Sequence, residues 1–320
     1  MIALLSPGQG AQAPGMLAPW LEVAGAPELL ATFSEAAGQD LHTLGTSADA
    51  ETIKDTALAQ PLIVAASLLS LHALQAELAA REPALTEAGA WVDVAAGHSV
   101  GEFAAAAAAG VLPATDALRL VGVRGRAMAE AASRAETGMS AVVGGVAEEV
   151  EAALAAHDLV AANVNGGGQV VAAGLRSDLA ALEADPPARA RVIPLPVAGA
   201  FHTSAMAPAV ETVRAAAGSL TPADPAVTLL SNAGGEAIGS GAQALEAMVA
   251  QISSPVRWDL CQEAMLTAQV SAAVELAPAG VLTGLARRSM RGVETVALKS
   301  PDDLASAVDL VLRTRSPRES

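Results

Sequence analysis

The sequence has little aromatic character and almost no cysteine. Aromatic residues make up 2% of its 320 positions, tyrosine is absent, and Cys261 is its single cysteine. One cysteine excludes a disulfide framework and a cysteine metal cluster, so no metal site is expected. The stretch around residues 260–266 is apolar, which predicts a buried and unreactive Cys261. The core must therefore be packed with Ala, Val, Leu and Met, with many close contacts between helices.

Positive charge is also scarce. The chain has 18 Lys and Arg against 34 Asp and Glu, a formal net charge of −16. This balance argues against binding to nucleic acids and to anionic membrane surfaces, so an anionic ligand or acidic partner would need a local basic site. No apolar run approaches the roughly 20 residues that span a membrane, and the first residues lack the positive region of a signal peptide. We therefore expect a cytoplasmic protein.

The stretch over residues 90–110 organises the chain. Residues 90–96 are apolar and predict a buried strand, and the alanine run over 102–109 predicts a helix. Between them stands Gly-His-Ser-Val-Gly at 97–101, a Gly-x-Ser-x-Gly turn that lifts a serine hydroxyl above a strand-to-helix corner. An ordinary Gly-Ser turn is the alternative. With a strand before it and a helix after it, Ser99 is the candidate nucleophile.

The rest of the chain alternates strands and helices, which predicts an α/β protein with one large core. Residues 1–6 predict its first strand, and the Gly-Gln-Gly loop at 8–10 could cradle an anion with its backbone N–H groups. An ordinary turn is the alternative for this loop. The Gln-Pro pair at 60–61 predicts the start of a long apolar helix to about residue 80, with the proline at the first helical position.

Residues 137–196 have a different pattern. They predict the element order β-α-β-β-α-β, a ferredoxin-like split unit, and glycines at both borders favour a compact insertion. The predicted domains are therefore a discontinuous α/β core over 1–136 and 197–312, an inserted small subdomain over 137–196, and a disordered tail over 313–320.

Two polar residues stand out against their surroundings. At helical spacing Arg124 shares an apolar face with Leu120, Val121 and Met128, and a guanidinium there is costly unless it meets an anion. A snorkelling side chain or a structural ion pair is the alternative. His202 lies just before a predicted helix, downstream of the serine turn, where a general base is expected. A structural histidine is the alternative.

Together these motifs resemble the malonyl-CoA:acyl carrier protein transacylases. In chain order the set is Pro-Gly-Gln-Gly at 7–10, Gln-Pro at 60–61, Gly-His-Ser-Val-Gly at 97–101, Arg-Gly at 124–125, Asn-x-Asn at 163–165, Gly-Gln-Val-Val at 168–171, Gly-Ala-Phe-His at 199–202, Ser-Pro-Val-Arg-Trp at 254–258 and Val-Leu-Thr-Gly-Leu at 281–285. The resemblance covers nearly the whole chain. It implies a hydrolase-like α/β core with a parallel sheet, carrying an inserted ferredoxin-like small subdomain.

The resemblance also implies roles for individual residues. Ser99 would carry the acyl group as an ester and His202 would move its proton, while the backbone N–H groups of Gln9 and Val100 would form the oxyanion hole. Arg124 would pair with the free carboxylate of the malonyl group. A main-chain carbonyl at Gln251, rather than an aspartate, would hold the histidine.

Further substrate-binding positions implied by the resemblance are Gln60, Phe201, Asn163, Asn165 and His98. The phenylalanine would crowd the extra methyl of a methylmalonyl donor, and one methyl is typically worth about 1–3 kcal/mol in such pockets. Selectivity for malonyl should therefore be real but finite.

The implied function is transfer of malonyl from malonyl-CoA to the phosphopantetheine thiol of holo-acyl carrier protein, through an acyl-serine intermediate. The pathway would be fatty-acid synthesis, with polyketide synthesis as an option, and the enzyme would be a monomer without a cofactor. The alternative is a serine hydrolase or thioesterase. Its histidine would need an acid, for which Asp185 is the plausible carboxylate, and it leaves Arg124 without a role. A non-enzymatic docking protein would leave Ser99 and His202 unused as well.

Carrier proteins of this kind are acidic, as this chain is, so a local basic face is predicted. The candidates, which cluster in sequence, are Arg189, Arg191, Arg287, Arg288 and Arg291. A solvated run of charge at the end of a helix is the alternative.

Overall fold

Two five-stranded sheets organise the computed structural model, which describes residues 1–315. The strands are β1 (Ile2–Ser6), β2 (Val94–Gly97), β3 (Thr137–Gly144), β4 (Val160–Gly166), β5 (Gln169–Leu175), β6 (Ala190–Pro194), β7 (Thr228–Leu229), β8 (Val256–Arg257), β9 (Ala272–Glu275) and β10 (Glu294–Ala297). The helices are α1 (Ala26–Ala37), α2 (Leu41–Thr46), α3 (Thr56–Arg81), α4 (Ala88–Trp91), α5 (Gly101–Ala108), α6 (Ala114–Ala132), α7 (Ala147–Ala156), α8 (Arg176–Ala184), α9 (Ala207–Ala217), α10 (Gly241–Ala250), α11 (Trp258–Thr267), α12 (Val281–Ser289) and α13 (Leu304–Arg315). Short 3-10 turns connect several of them.

The first sheet is parallel and has the order β10-β9-β1-β2-β7, which confirms the predicted α/β core with a parallel sheet. Its central strand β1 is fully buried, because helices cover both faces of a parallel sheet. Ser6 is in register with Gly97 at the carboxyl ends of β1 and β2. The loop at 8–10 and the serine turn therefore leave the sheet side by side.

The second sheet has the order β6-β3-β5-β4-β8. Strands β3 to β6 pair with one another in antiparallel fashion and, with α7 and α8, follow the predicted β-α-β-β-α-β order. This arrangement is consistent with a ferredoxin-like unit. The fifth strand, β8, comes from the core part of the chain and pairs in parallel with β4. The small sheet is thus extended by a core strand, a connection that the sequence did not indicate.

Helix α3 begins at Thr56, so the prediction that Pro61 occupies the first helical position is wrong. The Asp55 side chain caps the helix by accepting the N–H of Ala57. Pro61, inside the helix, has no N–H for the carbonyl of Ala57, four residues earlier. Gln39 Nε2 donates to that carbonyl at 2.8 Å. A side chain from outside the helix therefore replaces the missing bond and lets the helix continue through the proline.

By length and composition alone α3 could cross a membrane, since its most apolar window has a mean hydropathy of 1.7. However, 83% of that window is buried inside the protein. The apolar residues of α3 pack in the main hydrophobic core, against α6, α5 and α1. Cys261 lies in a smaller cluster and is fully buried, as predicted, and burial raises the pKa of its thiol.

Two boundaries differ from the predictions. The strand expected over 90–96 begins only at Val94, because Ala88–Trp91 forms a helical turn that buries Trp91. The tail expected from residue 313 is helical as far as Arg315, whose side chain donates to the carbonyl of Trp91. The prediction of disorder for residues 316–320 lies outside the described residues.

Candidate active site

The serine turn forces an unusual backbone at Ser99. Its φ is +53°, in the left-handed region, which costs a non-glycine residue about 1–3 kcal/mol and is found at functional sites. A Cβ on Gly97 would lie 2.0 Å from the carbonyl carbon of Gly101, and a Cβ on Gly101 would lie 2.1 Å from the carbonyl oxygen of Ser6. Both glycines are thus required by close backbone contacts, and the turn presents the serine hydroxyl above the sheet.

Ser99 and His202 lie within hydrogen-bonding distance of each other. Ser99 Oγ is 2.7 Å from His202 Nε2, and His202 Nδ1 is 2.8 Å from the carbonyl oxygen of Gln251. Because a carbonyl oxygen can only accept, the proton of the neutral ring lies on Nδ1 and Nε2 is free to accept from the serine. His202 also has a positive φ, +62°. The arrangement is the one that a nucleophile, a base and a group that orients the base require.

Burial and, next in size, the positive charge of Arg124 together lower the pKa of His202 to about 3, against the opposing effect of the Gln251 carbonyl. The imidazole is therefore neutral at physiological pH. It can accept the serine proton without first losing one of its own.

Two backbone N–H groups are available close to the serine. Val100 precedes the first residue of α5, and Gln9 follows β1; both line the same cavity as Ser99. Within the described residues neither N–H donates a hydrogen bond. Free N–H groups at a helix N-terminus are suited to stabilising a developing oxyanion.

Arg124 lies on α6 and is 1% exposed. Its Nη1 donates to Gln60 Oε1 at 2.7 Å and its Nη2 to Gln251 Oε1 at 2.8 Å, while Nη2 is 3.5 Å from Ser99 Oγ. Burial lowers the pKa of the guanidinium to about 10, with the Glu102 carboxyl acting in the opposite direction. Arg124 is thus a buried cation, charged at neutral pH, beside the hydroxyl of Ser99.

These groups open onto a cavity of about 190 Å³ between the parallel sheet and the small sheet. The predicted site residues that line it are Gln9, Gln60, His98, Ser99, Val100, Arg124, Asn163, Asn165, Phe201 and His202. Gln251, the remaining one, is buried behind Arg124 and His202. Residues of β3, β5 and α12, among them Met139, Val171 and Leu285, complete the apolar walls. The structure thus brings together all the residues named by the resemblance.

The amide side chains of β4 form the polar side of the cavity. Asn165 Oδ1 is 2.9 Å from His98 Nε2, and Asn165 Nδ2 donates to Gln169 Oε1. His98 also packs against the ring of Trp258, and burial lowers the pKa of its imidazole. Asn163 is 6% exposed and its Oδ1 has no hydrogen-bond partner within the described residues. A buried acceptor without a partner is costly, so Asn163 is ready to accept from a ligand.

Sequence reasoning missed two buried residues that support the serine turn. Glu102 Oε1 accepts the backbone N–H of Asn232 at 2.7 Å, and Glu102 Oε2 accepts from Gln251 Nε2. Asn232 Oδ1 in turn accepts the backbone N–H of Ser99 at 2.7 Å. Burial raises the pKa of the Glu102 carboxyl to about 8. A carboxylate directly after the glycine of the turn, in an otherwise apolar helix, was a visible signal; nothing in the sequence pointed to Asn232.

The carboxylate proposed for the hydrolase alternative does not hold the histidine. Asp185 is an exposed residue that follows α8, whereas His202 Nδ1 meets a carbonyl oxygen. Within residues 1–315 no group of three or more His, Cys, Asp or Glu side chains could hold a metal ion.

Comparison with known proteins gives consistent results. A family model described as an acyl transferase domain matches residues 4–303. A malonyl CoA-acyl carrier protein transacylase of Mycobacterium bovis is 52% identical over 310 residues, covering 97% of this chain and 100% of the relative. The crystal structure of MCAT from Mycobacterium tuberculosis aligns with a TM-score of 0.89 at 51% identity, covering 96% of this chain and 99% of that one.

A further solved structure is a malonyl-transacylase in complex with a holo type II PKS acyl-carrier protein. It aligns with a TM-score of 0.86 at 28% identity, covering 96% of this chain and 99% of that one. The family match spans most of the chain, and the relatives agree in name and in fold. The chain therefore belongs to the acyl transferase family, among the malonyl CoA-acyl carrier protein transacylases.

Proposed function

We propose that this enzyme transfers the malonyl group of malonyl-CoA to the phosphopantetheine thiol of holo-acyl carrier protein. The observation that carries the proposal is Arg124, a buried guanidinium 3.5 Å from the nucleophilic oxygen of Ser99. A buried cation at this distance matches an acyl group that ends in a free carboxylate. A thioesterase acting on a neutral acyl chain would gain nothing from it.

In the first half-reaction Ser99 Oγ attacks the thioester carbonyl carbon while His202 Nε2 takes the serine proton. The carbonyl oxygen becomes an oxyanion within reach of the N–H groups of Val100 and Gln9. The Gln251 carbonyl, which accepts from His202 Nδ1, stabilises the imidazolium that forms. Collapse breaks the carbon–sulfur bond, His202 returns the proton to the leaving thiolate, and malonyl remains as an ester on Ser99.

In the second half-reaction the phosphopantetheine thiol attacks the same ester. His202 takes the thiol proton and gives it to Ser99 Oγ as the carbon–oxygen bond breaks. One thioester is consumed and one is formed, so the transfer needs no cofactor and no energy source beyond the donor. The kinetics should be ping-pong, with coenzyme A released before the carrier protein reacts.

Gln60 and Gln251 fix the guanidinium of Arg124 before substrate arrives, since each amide oxygen accepts one of its N–H groups. A pre-ordered cation loses little entropy on binding the malonyl carboxylate. We further propose that Asn163 Oδ1 accepts an N–H of the pantetheine arm and that His98 and Asn165 line the path of that arm. Phe201, 5% exposed at the cavity wall, limits the room beside the carbon that a methylmalonyl donor substitutes.

The carrier protein is proposed to dock on the end of the small sheet that adjoins α12. All five candidate arginines are exposed, and within residues 1–315 none of them forms an ion pair. Arg288 lies beside the β4–β5 turn: a Cβ placed on Gly167, in that turn, would be 3.0 Å from the Cβ of Arg288. Arg191, at the opposite edge, is in register with that turn through β3 and β5.

The two arginine groups therefore share one end of the sheet, about three strand spacings or ~14 Å apart. Val281, at the start of α12, is 50% exposed and also lines the cavity. An acidic carrier protein resting on this end would reach the mouth of the cavity with its phosphopantetheine arm. We propose fatty-acid synthesis as the setting, with polyketide synthesis as an option, and a monomer in the cytoplasm.

The test is to identify the product. The enzyme is mixed with malonyl-CoA and holo-carrier protein, and malonylated carrier protein and free malonate are both quantified. Transfer predicts stoichiometric malonyl-carrier protein with little malonate, and apo-carrier protein, which lacks the thiol, serves as the matched control. Malonate released at the same rate with and without holo-carrier protein would instead establish a thioesterase.

A further inference from the structure

The side-chain amide of Gln251 is held at both of its ends. Its Oε1 accepts from Arg124 Nη2 at 2.8 Å, and its Nε2 donates to Glu102 Oε2. The same Nε2 is 3.1 Å from the carbonyl oxygen of Ser99 and 3.2 Å from Asn232 Oδ1. Gln251 is 5% exposed and Glu102 4% exposed, so bulk solvent cannot replace these hydrogen bonds in either orientation of the amide.

The orientation of this amide matters because a guanidinium has only donors. If the Gln251 amide turned over, its NH₂ group would face the N–H groups of Arg124, and its oxygen would face two other acceptors, the carbonyl oxygen of Ser99 and Asn232 Oδ1. All of these contacts would then be unfavourable. With the amide as observed, Arg124 and the Glu102 carboxyl are joined by two hydrogen bonds through one aligned amide dipole.

We propose that Glu102 is a positioning residue for donor recognition: its carboxyl oxygen Oε2 fixes the Gln251 amide, which holds Arg124 aimed at the malonyl carboxylate. The inference rests on the proposed function, because it concerns how that site recognises its donor. Glu102 is not among the residues that line the cavity. It lies one residue beyond the serine turn, so it ties the arginine on α6 to the helix that follows the nucleophile.

The two oxygens of Glu102 have separate tasks, and this makes the inference testable. Oε1 accepts the backbone N–H of Asn232, whose side chain accepts the N–H of Ser99. Oε2 meets Gln251. In Glu102→Gln the new amide oxygen can keep the bond to Asn232, but its NH₂ then faces the NH₂ of Gln251. The substitution therefore keeps the support of the serine turn and breaks the support of Arg124.

The experiment measures two reactions of Ser99 in the full-length chain. One is malonylation by malonyl-CoA, as kcat and KM with holo-carrier protein. The other is labelling by a fluorophosphonate, which needs Ser99 and His202 but has no carboxylate for Arg124. For Glu102→Gln we expect kcat/KM to fall about 10- to 100-fold, as for a lost hydrogen bond to a charged group. Most of the loss should be in KM, with labelling within about threefold of wild type.

Glu236→Gln is the matched control, because Glu236 is an exposed carboxylate whose charge acts on Glu102 without contacting Gln251; it should leave both reactions unchanged. A double-mutant cycle tests whether Glu102 acts on Arg124 through the side chain of Gln251. In a Gln251→Leu background, which keeps the backbone carbonyl for His202, Glu102→Gln should cost no more than about a further twofold.

Equal losses in malonylation and in labelling would overturn the inference, because they would show a purely structural role. The inference would also be overturned if Glu102→Gln kept the wild-type kcat/KM for malonyl-CoA, or if the losses caused by Glu102→Gln and Gln251→Leu were additive in the double variant. Failure of the proposed function is distinguishable, since the wild-type chain would then be labelled by the fluorophosphonate yet form no malonyl ester.

Discussion

Replacing Arg124 by methionine should convert a malonyl-selective enzyme into one that no longer distinguishes malonyl from acetyl donors. The guanidinium is fixed by Gln60 and Gln251 beside Ser99, and in the proposed function its charge-assisted N–H donors bind the malonyl carboxylate. A hydrogen bond to a charged group contributes about 1.5–3 kcal/mol. Two such bonds give about 3–6 kcal/mol, which corresponds to a loss of about 10²- to 10⁴-fold in kcat/KM.

An acetyl donor has no carboxylate, so Arg124→Met should leave its kcat/KM within a few fold or raise it, because the cavity becomes apolar. The assay compares malonyl-CoA and acetyl-CoA with holo-carrier protein for wild type, Arg124→Met and Arg124→Lys. Lysine keeps the charge but cannot make a bidentate contact, and should fall in between. If Arg124→Met kept malonyl transfer within tenfold of wild type, or if both donors lost equally, the assigned role of the arginine would be wrong.

Three further predictions follow from the site. In the folded protein the pKa of His202 is about 3, below its ordinary value of 6.5, so the unfolded chain binds a proton more readily and stability is lost as the pH falls from about 6.5 towards 3. Denaturant titrations at several pH values should show that the free energy of unfolding of His202→Asn falls less steeply with pH in that window than that of the wild type. An equally steep fall in both proteins would contradict the assignment. Phe201→Ala should raise kcat/KM for methylmalonyl-CoA relative to malonyl-CoA by about 5- to 100-fold, measured in direct competition; an unchanged ratio would exclude Phe201 as the selectivity residue. Reversing the charge at Arg287 and Arg288 should raise KM for holo-carrier protein, more at low salt than at high salt, and should leave transfer to free pantetheine unaltered. If the variant and the wild type reacted with carrier protein at the same rate, the proposed docking face would be wrong.

Features governed by local sequence were predictable. The Gly-x-Ser-x-Gly turn requires two glycines because backbone atoms lie about 2 Å from where each Cβ would be, and that requirement is visible in the sequence. Likewise, the place of Arg124 on an apolar helix face follows from helical spacing alone. The pattern of residues 137–196 predicted the element order of the small sheet because local hydrophobic periodicity distinguishes strands from helices.

Features that depend on distant contacts were not predictable. The helix through Pro61 continues because Gln39, from another part of the chain, satisfies the carbonyl of Ala57. Strand β8 joins the small sheet from the core, and a two-residue strand has no pattern to detect. The bond between Glu102 and Asn232 joins residues 130 positions apart. A chemical role built from such contacts appears only when the fold is known.

The most direct test of the account is the intact mass of the chain after mixing with malonyl-CoA alone, for the wild type and for Ser99→Ala. We expect one added malonyl group on the wild type, none on the variant, and loss of that group when holo-carrier protein is added. A variant that is still malonylated, or a wild type that transfers malonyl without ever carrying it, would contradict the acyl-serine route.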